Sequence, residues 1–260
     1  MPPWLLPLLF APVIGSFAGV LIRRLPRGAP VAMARSECEA CGHRLSPVEL
    51  VPLLSYLALR GRCRACGAAI PAFHPAVEAA ALLVAASAVL ARALPHGPGA
   101  ASTAVDPAWL WADCALGWTL LALAWIDAGH FLLPDVLTLP LLLAGLAACG
   151  WLEPWALRDH ALGAALGYGL LRAVALGYRA LRGREGMGAG DAKLLAACGA
   201  WLGWAALPDL LLLAALGGLG AAAAMRLRGR AVGRTTALPF GPFLAAACWT
   251  VRLLGGWAGA

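Results

Sequence analysis

Apolar residues gather along this chain in long runs separated by short polar stretches. The runs lie near residues 4–22, 76–94, 109–126, 133–152, 160–178, 193–207, 210–225 and 238–255. A helical crossing of a bilayer core takes about 17–25 predominantly apolar residues, so the pattern predicts an all-α polytopic membrane protein with about eight transmembrane helices. The sixth and seventh segments are short, meet at Pro208-Asp209, and could be divided differently.

Composition strengthens this picture. The chain is 62% hydrophobic and 13% charged, with a mean hydropathy of +0.79, against about 25% charged residues in an average soluble domain. A large soluble helical core would need many charged surface positions, and the long uncharged runs leave no place for them. The first segment has no basic stretch ahead of it and runs into Arg23-Arg24, so it reads as a retained anchor with its N-terminus outside. Arg23, Arg24, Arg27, Arg35, Arg44, Arg60, Arg62 and Arg64 fall in the first loop. Arg179, Arg182, Arg184 and Lys193 surround the loop before the sixth segment, and Arg226, Arg228, Arg230 and Arg234 precede the eighth. All of these loops lie on one side of the predicted topology, which the positive-inside rule makes the cytoplasm. Orientation and anionic lipid thus account for the net charge of +7, and no basic patch interleaved with aromatics points to nucleic acid.

Only the first loop, residues 23–75, is long enough for a small domain, and it divides the chain into a first helix (1–22), the loop (23–75) and a membrane-embedded core (76–260). The loop holds Cys38-Glu39-Ala40-Cys41 and Cys63-Arg64-Ala65-Cys66, with 21 residues between the pairs. Each C-x-x-C offers two thiolates to one tetrahedral ion, so the expectation is a zinc-ribbon-like domain with a structural Zn2+ on Cys38, Cys41, Cys63 and Cys66. Disulfides are the competing reading, which a reducing cytoplasm disfavours. Four thiolates close the shell, leaving the ion to fold a loop too small to bury its own core. Cys114, Cys149, Cys198 and Cys248 stand alone in apolar runs and read as small packing residues. The glycines of "LGAALGYG" (162–169) and "LGGLGAAAA" (216–224) suit close helix packing.

A few carboxylates interrupt the apolar runs. Asp191 ends Gly186-Met187-Gly188-Ala189-Gly190-Asp191, with Lys193 two residues on. No strand precedes this glycine-rich break and no G-K-[ST] follows, so a phosphate-binding loop is a poor reading. "LLALAWIDAGHFLLPDVLTLP" (120–140) places Asp127 at the end of the third segment and Asp135 at the start of the fourth. On the predicted topology Asp127 and Asp191 share a side and a depth. Two such carboxylates can share a proton and divide base and acid work on a water. The bland alternative is helix capping, which fits Asp135 after Pro134 best. The five histidines have no ligand spacing among themselves, and His130 is of interest only for its closeness to Asp127.

"GSFAGVLIRRLP" (15–26), the two cysteine pairs, "IDAGHFLLPDVLTLPLL" (126–142), "GMGAGDAKLLAACGAWLG" (186–203) and "LPFGPFLAAA" (238–247) occur in this order. Together they resemble the type IV prepilin peptidases, or prepilin leader peptidase/N-methyltransferases, which are GxGD-type intramembrane aspartyl proteases. The resemblance implies catalytic aspartates at Asp127 and Asp191, an active-site loop including Gly186, Gly188, Gly190 and Lys193, and a zinc loop on the four cysteines. It implies cleavage of the basic leader of prepilins and type II secretion pseudopilins at the cytoplasmic face of the bacterial inner membrane. It also implies N-methylation of the new terminus from S-adenosylmethionine, at a site the residues do not reveal; Glu37, Glu39, Glu49 and Glu78 are possible contacts. The chain departs from the family at Phe73-His74, where Arg-Tyr is usual before P-x-x-E, and at Gly19, where many members have Asn. Three alternatives stay open: a peptidase without methyltransferase activity, a noncatalytic zinc-ribbon scaffold, and a polytopic transporter with a structural zinc loop.

Overall fold

The computed structural model describes residues 2, 4–31, 36–93, 106–183, 188–229, 233 and 237–255. Gly186, Arg35, Arg184, Arg230, Arg234 and His96 lie outside the described residues. Each of the eight apolar runs falls on a helix. These are α1 (Leu5–Arg24), α3 (Phe73–Ala93), α4 (Pro107–His130), α5 (Asp135–Leu152), α6 (Leu157–Arg182), α7 (Ala189–Leu202), α8 (Leu207–Leu227) and α9 (Gly241–Leu254), while a five-residue α2 (Leu54–Ala58) lies in the first loop. Six of them are long and apolar enough to cross a membrane. The other two, α7 and α9, have 14 residues each, which at 1.5 Å per residue reach about 21 Å, short of a hydrocarbon core of about 30 Å. Pro208 sits in the first turn of α8, where its missing N–H costs nothing. The break between the sixth and seventh helices accordingly falls at residues 203–206, ahead of Pro208-Asp209.

Two compact units make up the chain, Met1–Ala122 and Leu123–Ala260, with α4 running through the division. In the first, α1 packs on α3 along a seam of small residues: Ala11, Ala18, Ala81, Ala85 and Ala88 are buried. A methyl at Gly15 would stand 2.7 Å from Glu78 Cα, so only glycine permits that approach. Trp118 of α4 donates its indole N–H to the Ala81 carbonyl at 2.9 Å, and Arg92 of α3 pairs with Asp113 of α4 at 2.6 Å.

The two cysteine pairs of the loop form matching turns. Cys38 N–H donates to His43 O and Gly42 N–H to Cys38 O, both at 2.8 Å; Cys63 N–H donates to Ala68 O at 2.8 Å and Gly67 N–H to Cys63 O at 2.9 Å. Gly42 and Gly67 have φ of +69° and +71°, a left-handed conformation that favours glycine and lets each turn close on its cysteines.

In the second unit α7 is the central helix. Ten of its 14 residues are buried, as expected of a helix apolar on every side, and α5, α6 and α9 pack against it while α8 packs on α9. The α6–α7 crossing is set by glycine: methyls at Gly163 and Gly167 would meet the Gly199 and Leu195 carbonyl oxygens at 2.5 and 2.7 Å. Gly163 and Gly167 belong to the 162–169 stretch expected to pack closely. On α5, Gly145 accommodates Trp201, whose indole N–H donates to the Leu141 carbonyl at 2.8 Å. The outward faces carry Leu143, Leu166, Leu212 and Leu219, all exposed. These would be a liability in water and are matched by lipid tails.

Candidate active site and metal cluster

Asp127 lies in the last turn of α4 and is 5% exposed; Asp191, the third residue of α7, is 9% exposed. Both line one cleft of about 460 Å³, together with Phe131, Leu133, Asp135 and Lys193. The fold thus brings together two carboxylates 64 positions apart in sequence.

Each has a backbone amide directed at it. Gly188, the N-cap of α7, donates its N–H to the Asp191 carboxylate, the reciprocal half of a capping box. Gly241, the first residue of α9, donates to Asp127 Oδ2 at 2.9 Å. After Asp127 the chain leaves α4 through Phe131, whose φ of +53° is left-handed and unusual for an aromatic residue, and whose N–H closes on the Asp127 carbonyl at 2.9 Å. Strain of this kind concentrates at functional sites. Gly190 lets the start of α7 settle on the same turn, since a methyl there would come within 2.9 Å of Leu133 Cβ.

Asp135 does not act as the helix cap that the sequence suggests. Pro134 is the N-cap of α5 and no side chain caps it; Asp135, the first helical residue, instead accepts hydrogen bonds from Lys193 Nζ at 2.6 and 2.8 Å. Lys193 therefore lines the cleft as the partner of Asp135. His130 is exposed and is not among the residues lining the cleft. Sequence reasoning gave no role to Gly241, although it lies in the "LPFGPFLAAA" stretch (238–247) that contributes to the family resemblance.

In the first unit the Sγ atoms of Cys38, Cys41, Cys63 and Cys66 all lie within 4.8 Å of one another. A tetrahedral zinc–thiolate site has S···S edges of about 3.8 Å, and Cys38 Sγ stands 4.0 Å from Cys66 Sγ, twice a disulfide bond. The four cysteines are free thiols grouped so that they could hold a metal ion.

A second, larger cavity of about 850 Å³ lies between the loop, α1 and α3, lined by Ser16, Gly19, Arg23, Glu39, His74 and Glu78. Glu78 is buried and accepts the Leu53 N–H at 2.8 Å. Arg23 pairs with Glu39, lies 3.1 Å from His74 Nε2, and stacks over the Phe73 ring. Its hydrogen bond holds the Glu39 carboxyl below the usual carboxylate range. Across the loop, the Ser46 N–H and hydroxyl do the same for Glu49. The two departures from the family pattern meet here: a Cβ at Gly19 would lie 3.7 Å from the Phe73 ring, in ordinary van der Waals contact with it.

The bacterial peptidase A24 N-terminal domain family matches residues 9–92, and the type IV leader peptidase family matches residues 114–223. The prepilin leader peptidase/N-methyltransferase of Burkholderia pseudomallei is 42% identical over 259 residues, covering 90% of this chain and 80% of its own. This chain belongs to the type IV leader peptidase family. Its Aeromonas salmonicida relative of the same name is 40% identical over 97% of this chain and 92% of its own, and that of Pseudomonas aeruginosa is 38% identical over 94% and 87%. No solved structure matches the chain. Family and apolar helices together make this type IV leader peptidase a multi-pass protein of the inner membrane.

Proposed function

We propose that this enzyme removes the leader peptide from type IV prepilins and type II secretion pseudopilins by aspartyl-protease chemistry and then N-methylates the new terminal residue. The observation that carries the reading is the pair of nearly buried carboxylates, Asp127 and Asp191, lining one cleft. One carboxylate takes a proton from water as the water oxygen bonds to the scissile carbonyl carbon. The other, protonated, supports the carbonyl oxygen and gives its proton to the departing amine. We assign the water's proton to Asp127, which receives an N–H from a separate helix, and the acid role to Asp191. Gly188, and by sequence Gly186, leave room for an extended substrate to approach the backbone, while Gly190 serves the packing of α7 on Leu133. Lys193 is assigned to holding Asp135.

We read the thiolate cluster as a structural Zn2+ site, because four sulfur ligands complete a tetrahedral shell and fold a loop with little core of its own. The basic loops orient cleft and zinc loop toward the cytoplasm and the N-terminus toward the periplasm.

For the methyl donor, S-adenosylmethionine, we assign the 850 Å³ cavity of the first unit. Its size falls within the range of about 300–1,000 Å³ usual for cofactor sites, and the buried Glu78 carboxylate suits a cationic ligand or the amine that receives the methyl. Bound there, the donor would supply an electrophilic methyl group; Glu78 would orient the amine. Mass spectrometry of a co-expressed prepilin tests the reading. The expected product lacks the leader and carries one N-terminal methyl. Intact prepilin would refute the peptidase reading, and cleaved but unmethylated pilin would refute the methyltransferase half.

A further inference from the structure

We propose that Gly241 is a positioning residue for peptide cleavage: its amide N–H fixes Asp127 Oδ2, and its lack of a side chain is what lets it do so. The inference rests on the reading of Asp127 as a catalytic carboxylate.

Three features of the start of α9 support it. The N–H of Gly241 reaches Asp127 Oδ2 at 2.9 Å across 114 residues of sequence. Pro242 has no N–H, and the amides of Phe243 and Leu244 both turn back to the Phe240 carbonyl at 3.1 Å. The amide of Gly241, the first helical residue, has no carbonyl of its own helix to bond and is spent on the carboxylate. Gly241 is buried, and a Cβ on it would lie 2.7 Å from Asp127 Oδ2 and 3.0 Å from Cγ. Its φ is not positive, so the close approach of the carboxylate is what demands glycine here.

The arrangement differs from that at Asp191, whose amide partner Gly188 belongs to the start of the same helix. The orientation of Asp127 instead depends on α9 being docked. With Oδ2 occupied by a donor, a proton taken from water is directed to Oδ1. One carboxylate oxygen is thereby reserved for holding the side chain and the other for the reaction.

The test removes the N–H without changing the size of the residue; it also weakens the Phe240 carbonyl as an acceptor, an effect that a second ester in the same turn controls for. Glycolic acid is installed at position 241 by a suppressor tRNA during cell-free synthesis into nanodiscs, replacing the amide with an ester of the same size. A matched ester at Leu244 deletes another donor from the same turn. Prepilin cleavage is measured for both proteins, for Asp127→Asn and for Gly241→Ala. The expected result is a fall in kcat of about 10–100-fold for the 241 ester, the value of one hydrogen bond to a charged group. Its KM for prepilin stays within about twofold and the 244 ester stays within about threefold in kcat, while Gly241→Ala loses at least as much activity as the 241 ester. A 241 ester no slower than the 244 ester, with Asp127→Asn inactive, would overturn the role of Gly241 and leave the catalytic pair standing. An active Asp127→Asn would overturn both.

Discussion

Lys193 Nζ lies 2.6 and 2.8 Å from the two carboxylate oxygens of Asp135, tying the second turn of α7 to the first turn of α5 at the cleft. The side chains are 31% and 55% exposed, so the pair itself adds only about 0–1 kcal/mol to stability. The proposed role of the pair is to place Asp191, two residues before Lys193. Lys193→Met and Asp135→Asn should each leave thermal stability nearly unchanged and lower kcat several-fold without abolishing cleavage. The exchanged double variant Asp135→Lys/Lys193→Asp should recover part of the loss. Steady-state cleavage kinetics in detergent check this.

Much of this was legible in the chain because the bilayer demands it. Long apolar runs located α1 and α3–α9, and the cysteine spacing located the cluster of four thiols that could hold a metal. Lipid and a buried core are equally apolar, however, so composition did not reveal that α7 is enclosed by α5, α6 and α9 while α8 faces outward. The motif positions of Asp127 and Asp191 were readable, but their partners were not. Asp135 looked like a cap because it follows a proline, and its lysine lies 58 residues away. Gly241 looked like an ordinary helix start because nothing local marks an amide aimed at a carboxylate 114 residues earlier.

Metal removal should affect the two units differently. If four thiolates and Zn2+ fold the loop, Cys38→Ser or Cys63→Ser should lower zinc content and expose the remaining thiols to alkylation, while the helical signal of the spans persists. Zinc quantification and thiol titration of the native protein check it. Four freely titratable thiols together with full activity would remove the zinc assignment.

Cleavage and methylation should separate at Glu78. Glu78→Gln keeps an oxygen that can accept the Leu53 N–H but removes the buried charge. Prepilin cleavage should remain within about threefold while methylation falls at least about tenfold, the scale of losing one charge-assisted contact. S-adenosylhomocysteine should likewise leave cleavage intact and block the mass gain of one methylene. Product mass reads both steps in one sample.

The proposed catalytic pair is tested most directly by the cleavage rate of a purified prepilin with Asp127→Asn, Asp191→Asn and the double variant, each checked for expression and zinc. Asn keeps the size and most of the hydrogen bonding but cannot take or give the required proton. Each single substitution should therefore lower cleavage by at least about a thousandfold, and the double variant should be no worse than either single, because groups that act as one unit are not additive. Asp135→Asn in the same assay should remain active. Normal processing by Asp127→Asn alongside an inactive Asp135→Asn would contradict the account and make Asp135 the partner of Asp191.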